Sequence, residues 1–300
     1  MAQIWSELLE EKKERPIAMI GDSTFENGLV IYGPRHEDDT WAQYAGISKT
    51  TRPQIWNVAQ WALYKHPLTK DTPRTDILGG GYRYDTPSCS VTVKGDKESL
   101  IRMELRADAE YQGHVRQSGE SWPHLVVEQH RCIDFEPAFG NLSSLDYSIS
   151  IMLEYCKCNM TEDQLDPELH CAQLSHYFAV GDPKGMDWFW FGVTFFDTRH
   201  EVFPGYVNID IGKDDCSNKL IVSESPRKFT DQIPKVGEWI DCNVDLLPLI
   251  RQAMEMGQAQ GCMKNCEFER MKILSTNIGF ELPGNYDAAF KLRKLELIGR

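Results

Sequence analysis

The chain has 300 residues, 45 of them acidic and 32 basic, for a formal net charge of −13. Hydrophobic residues at 41% and charged residues at 26% are globular values and exclude a disordered chain. The acid surplus excludes a general nucleic-acid or anionic-membrane binder, because both need clustered basic charge.

The segment MAQIWSELLEEKKERP reads as a short helix over 2–14, with Ile4, Trp5, Leu8 and Leu9 on one face and Pro16 as its stop. It lacks a basic region followed by an apolar run, so no signal peptide is expected, and no stretch has the apolar length of a membrane helix. The nine cysteines are odd in number and irregularly spaced, which points to a reducing, cytoplasmic setting. Cys156-x-Cys158 and Cys262-xxx-Cys266 lack the C-xx-C spacing of zinc knuckles and read as incidental thiols.

Residues 17–80 are aromatic and turn-rich. IAMI (17–20) and LVIY (29–32) read as short strands, and Trp41, Tyr44, Trp56 and Trp61 as packing residues. Gly79-Gly80-Gly81 forms a joint. Beyond it strand follows strand: 91–93, 100–106, 124–130, 147–155, 188–196, 206–212, 219–223 and 290–298, all β-branched, aromatic or alternating. The one convincing later helix is DLLPLIRQAMEMGQA, 245–259. Many strands with few helices predict an all-β fold, an antiparallel β-sandwich of jelly-roll type. It would span 81–300 and carry one C-terminal surface helix, with residues 1–80 wrapped against it.

Residues two apart in a strand share a face. Arg102, Glu104 and Arg106 therefore oppose Ile101, Met103 and Leu105. His124, Val126, Glu128 and His130 oppose Leu125, Val127 and Gln129. Tyr206, Asn208 and Asp210 oppose Val207, Ile209 and Ile211. Lys291 and Arg293 oppose Phe290 and Leu292. Side by side on one sheet, these polar rows would form a saccharide-binding groove. Trp122 or Trp188 at its edge would stack on sugar C–H faces, and charged and amide groups would bond the hydroxyls. Separately, each row is the wet face of a sheet, and Arg102–Glu104–Arg106 is a cross-strand ion-pair ladder.

Arg102-Met-Glu104-Leu-Arg106 resembles the R-x-E-L-R strand of alginate-lyase-type polysaccharide lyases, within the concanavalin A-like lectin and glucanase group. Glu128-Gln-His130 and Tyr206-Val-Asn208 follow in the order of that family's later motifs, with Glu128 where the family has Gln and without its Lys and Gly around the tyrosine. The resemblance implies a concave-face site where Arg and amide groups neutralise a uronate carboxylate. His130 and Tyr206 would then move protons.

Other chemistries are open at this level. Glu104 and Glu128 form a candidate glycosidase pair. Ile20-Gly-Asp-Ser23 with Asp197-Thr-Arg-His200 resembles the motifs of SGNH esterases, but that family needs an α/β/α sandwich. Asp287, beside the last strand, is a candidate ligand for a structural Ca²⁺; no other cofactor is expected. The leading expectation is a saccharide binder using Arg102, Glu104, Arg106, His124, Glu128, His130, Tyr206 and Asn208. A lyase or glycosidase on the same face, and a non-catalytic interaction subunit, are its rivals.

Overall fold

A computed structural model describes residues 16–32, 54–96, 98–130, 137–211 and 217–300. The helix expected over 2–14, and Trp41 and Tyr44, lie outside the described residues. Two eight-stranded sheets pack face to face as the expected jelly-roll β-sandwich. The first sheet runs in spatial order β14 (Ile240–Asp245), β9 (Leu145–Cys158), β16 (Tyr286–Gly299), β7 (Ile101–Arg106), β6 (Cys89–Val93), β5 (Gly81–Asp85) and β4 (Arg74–Ile77), with β1 (Ile17–Ala18) paired to β16. The second runs β12 (Tyr206–Ile209), β13 (Leu220–Glu224), β11 (Asp187–Asp197), β10 (Gln173–Asp182), β15 (Lys272–Glu281), β8 (His124–His130), β3 (Trp56–Ala59) and β2 (Leu29–Ile31). Pairing is antiparallel except between β11 and β13 and between β2 and β3.

Strand alternation builds the core. Ile101, Met103 and Leu105 of β7 and Leu125 and Val127 of β8 are fully buried. The Phe280 and Phe290 rings, one from each sheet, lie 5.2 Å apart and tie the layers together. Residues before 81 supply strands to both sheets: β2 and β3 form one edge of the second, and β4 an edge of the first.

Two helices accompany the sandwich among the described residues, α1 (Ala107–Tyr111) and α2 (Leu246–Ala259). In α2 the Asp245 side chain accepts the Leu247 N–H at the N-terminus. Leu246, Ile250, Ala253, Met254 and Gly257 form its buried stripe. No helix of the described residues is long and apolar enough to cross a membrane.

The strand order corrects one expectation. The four polar rows do not share a sheet: β7 and β16 belong to the first, β8 and β12 to the second. Arg102, Glu104 and Arg106 therefore lie on the sandwich face opposite the one carrying Glu128 and Tyr206. Lys291 pairs in register with Arg102, so basic residues do gather there, but each has acidic partners. Arg102 contacts Glu104 at 2.8 Å and Glu154 at 2.6 Å, Arg106 contacts Glu104 at 3.0 Å and Asp85 at 2.9 Å, and Lys291 contacts Asp96 and Glu154. The row is an ion-pair ladder.

Candidate functional site

A cleft of about 500 Å³ opens on the outer, curved face of the second sheet. Its floor follows from register. One row crosses the sheet as Asn57, Glu128, Asn277, Tyr177, Gly192, Ser223 and Tyr206, each paired with the next. Four residues along the strands a second row runs His124, Glu281, Gln173 and Asp197. On the other side a third runs His130, Ser275, Ala179, Trp190, Ile221 and Asn208. From the second row to the third is six residues, about 20 Å at the rise of an extended strand.

Small residues keep the floor open. A Cβ on Gly192 would fall 2.5 Å from Tyr177 Cδ1 and inside van der Waals contact of the His176 carbonyl oxygen. The Tyr177 and Tyr206 hydroxyls meet at 3.4 Å. Beside them Ser175, Thr194 and Ser223 join hydroxyl to hydroxyl at 2.9 Å each. Burial, and for Tyr206 also its neighbour Tyr177, raises both phenols above their ordinary range. They therefore stay protonated, as hydrogen-bonding groups rather than bases.

Each cleft glutamate leans on a histidine. Glu128 Oε1 lies 2.7 Å from His130 Nε2, with the carboxylate side chain 3% exposed and the imidazole 54% exposed. The hydrogen bond to Glu128 raises the His130 pKa, against the opposing effect of burial. Glu281 Oε2 lies 3.7 Å from His124 Nε2 and accepts the Trp122 indole N–H at 3.1 Å. The Trp122 ring stacks with His124 and carries the Arg116 guanidinium at 4.7 Å. At the other end Trp190 donates its N–H to Ser217 Oγ, which in turn donates to Asp210.

The lining thus combines three tryptophans (Trp61, Trp122, Trp190), two tyrosines (Tyr177, Tyr206) and three carboxylates (Glu128, Asp210, Glu281) with Gln173 and Asn277, and includes no lysine or arginine among the described residues. Of the residues singled out in the sequence, the structure brings Trp122, His124, Glu128, His130 and Tyr206 together here. Asn208 shares the face but lies outside the cleft lining. Trp188 packs edge-to-face on Trp190 at 5.0 Å, on the same face but outside the cleft lining, with Lys219 over its ring.

Arg102, Glu104 and Arg106 are on the other sheet. The uronate-lyase constellation is therefore not assembled, because no described cation lines the cleft to neutralise a uronate. Glu104 and Glu128 cannot flank one bond for the same reason. The Asp197 carboxylate is held by Arg199 and Gln173, not by His200. Asp22 caps a turn by accepting the Glu26 and Asn27 N–H groups, so the Gly-Asp-Ser stretch is a turn device. Asp287 accepts bonds from Asn159 and from the Asp108 N–H. No group of three or more His, Cys, Asp or Glu among the described residues is placed to hold a metal.

Sequence reading missed Gln173, Ser175, Tyr177, Asn277 and Glu281, which lie on β10 and β15. Their one visible signal was alternation in QLSHYF (173–178), where Leu174 and Phe178 oppose Gln173 and Tyr177.

No protein-family model matches the chain, and no curated protein matches it. Solved structures of similar shape exist. A family 12 xyloglucanase from Bacillus licheniformis is 7% identical, with a TM-score of 0.43, covering 79% of this chain and 94% of its own. A family 11 xylanase from Neocallimastix patriciarum is 5% identical, with a TM-score of 0.37, covering 82% and 96%. Endoglucanase 3 from Trichoderma harzianum is 8% identical, with a TM-score of 0.39, covering 79% and 98%. At such identities and scores, none of them assigns a role to a residue of this chain.

Proposed function

We propose that the cleft binds a saccharide. The observation that carries this reading is the lining itself: indole and phenol rings beside carboxylates, amides and the Ser175 and Ser217 side chains, on an open floor. Rings of this kind cover the apolar faces of a sugar, and the polar groups pair with its hydroxyls. A pocket of this volume with few, convergent polar groups is the usual form of a small-ligand site.

Binding is favoured over hydrolysis by the register of the two cleft glutamates. Glu128 and Glu281 sit on adjacent strands but four residues out of step, their backbones on the order of 13 Å apart. Their carboxylates also lean apart along the strands, Glu128 toward His130 and Glu281 toward Trp122 and His124, whereas the carboxyl pairs of glycosidases converge to about 5–9.5 Å. The test is a thermal-shift panel of neutral, amine-bearing and uronate oligosaccharides. A ligand of the native state must raise the melting temperature. At least one saccharide is expected to do so, and the shift is expected to shrink in Trp190→Ala. A flat panel removes the reading.

A further inference from the structure

The wall at the Trp122 end of the cleft is a loop whose buried side chain is charged. Between α1 and β8, residues 112–121 are exposed or half-buried except for Arg116, which is 6% exposed. Arginine is seldom the residue that anchors a loop from inside, because withdrawing its charge from water is costly unless hydrogen bonds replace the water.

Those bonds tie two loops and a ring to one planar group. Arg116 Nε donates to the Glu120 carbonyl and Nη1 to the Leu169 carbonyl, each at 3.0 Å. The guanidinium lies over the Trp122 ring, 4.7 Å from its centroid. The Arg116 backbone is held from the same side. His170 Nδ1 accepts the Asp166 N–H, so the ring proton sits on Nε2 and is donated to the Arg116 carbonyl at 2.8 Å. A guanidinium can present its edge to carbonyls and its face to an indole at once; a lysine ammonium has neither the fork nor the flat face. Beyond Arg116 the chain of contacts enters the cleft. The Trp122 N–H donates to Glu281 Oε2 at 3.1 Å and its ring stacks with His124. Trp122, His124 and Glu281 belong to the described lining, and Arg116 does not.

Building on the saccharide reading, we infer that Arg116 is a positioning residue of the site: it fixes the place and tilt of the Trp122 ring at the end of the cleft and acts on saccharide affinity through that ring alone. Its two carbonyl bonds set the plane of the guanidinium, and the guanidinium sets the plane of the indole.

The experiment is titration calorimetry on the full chain with glucose, glucosamine and glucuronic acid tetramers as neutral, amine-bearing and uronate probes. Arg116→Lys keeps the charge and removes the planar fork. It is expected to weaken the tetramer that wild type binds best by about tenfold, the scale of one ring contact. In a Trp122→Ala background the same change is expected to cost less than about twofold, because residues that act as one unit are not additive. The Trp122 indole N–H resonance, assigned by its absence in Trp122→Phe, is expected to move in Arg116→Lys. Arg116→Met, which keeps the stem, is the second variant should Arg116→Lys fail to fold. Wild-type affinity in Arg116→Lys, an equal loss in both backgrounds or an unmoved indole resonance overturns the positioning role and leaves the saccharide reading intact. Undiminished binding by Trp122→Ala does the same. Binding of no tetramer by wild type removes both.

Discussion

Glu128 and His130 stand two residues apart on the cleft face of β8, with Oε1 and Nε2 2.7 Å apart. The contact makes the site pH-sensitive in a defined direction. The His130 pKa is raised above 6.5 by its hydrogen bond to Glu128. Protonated His130 therefore stabilises the fold fully below the unfolded value, and that contribution is lost as pH rises through the raised folded value. His130 is 54% exposed, so solvent screening holds the effect to about 1 kcal/mol or less. Urea denaturation across pH 5–9 should show wild type losing stability relative to His130→Gln as pH increases. A constant difference between the two would refute the coupling.

The aromatic wall should matter for ligand more than for fold. Trp190 is half-buried, with its N–H on Ser217 and Trp188 against its ring. Trp190→Ala should weaken saccharide binding about tenfold, the scale of one ring contact, as read by calorimetry. Retention of full affinity would show that the sugar does not rest on this ring.

Gly192 should tolerate no side chain. In Gly192→Ala the new Cβ would press on Tyr177 Cδ1 and the His176 carbonyl in the middle of a buried strand pairing. Overpacking of this kind costs about 1–3 kcal/mol. Moving Tyr177 also breaks its contact with Tyr206. A lower denaturation midpoint together with weaker ligand binding is expected; an unchanged midpoint would mean that the floor can relax.

The legible part of the molecule was the part written in period two. β7 buries a strict alternation and β9 buries every second residue from Leu145 to Leu153, so their faces could be assigned from the chain alone, and α2 shows its stripe as plainly. Illegible was which sheet each strand joins. That depends on long-range pairing such as β8 with β15, whose partners Glu128 and Asn277 are far apart in sequence. The R-x-E-x-R row drew attention because its charges alternate so cleanly, yet alternation says only that one face is wet. β15 went unnoticed because its cleft face carries Ser275, Asn277 and Gly279, small or polar residues of low strand propensity. The residues that open a binding floor thus weaken the signal that would reveal it.

The far-side ladder should prove structural. Burial alone would raise the Glu104 pKa, but hydrogen bonds from Arg102 and Tyr155 and the nearby Arg106 hold it below the usual carboxylate value. Its contribution is therefore present above the unfolded pKa of 4.5 and lost as pH falls through the lowered folded value. Glu104→Gln should cost about 1–3 kcal/mol at neutral pH and leave saccharide affinity unchanged. A loss of affinity at unchanged stability would return this face to the binding site.

A fully buried histidine gives the core an acid response of its own. His176 is fully buried, 2.6 Å from the Tyr147 hydroxyl at Nδ1 and 2.6 Å from Thr276 Oγ1 at Nε2. Burial pushes its pKa down to about 3. In the unfolded chain it takes up a proton near pH 6.5, whereas the folded chain does not, so stability must fall as pH drops below 6.5 and continue falling until about 3. At pH 4 the loss from this one residue is on the order of 3 kcal/mol. His176→Gln should be less stable at pH 7, by about 1–3 kcal/mol, because its amide cannot span both hydroxyls equally well. The variant should nevertheless lose less between pH 7 and pH 4 than wild type does. Chemical denaturation at those two pH values decides the point: parallel losses in the two proteins would mean that His176 does not carry the acid sensitivity of the core.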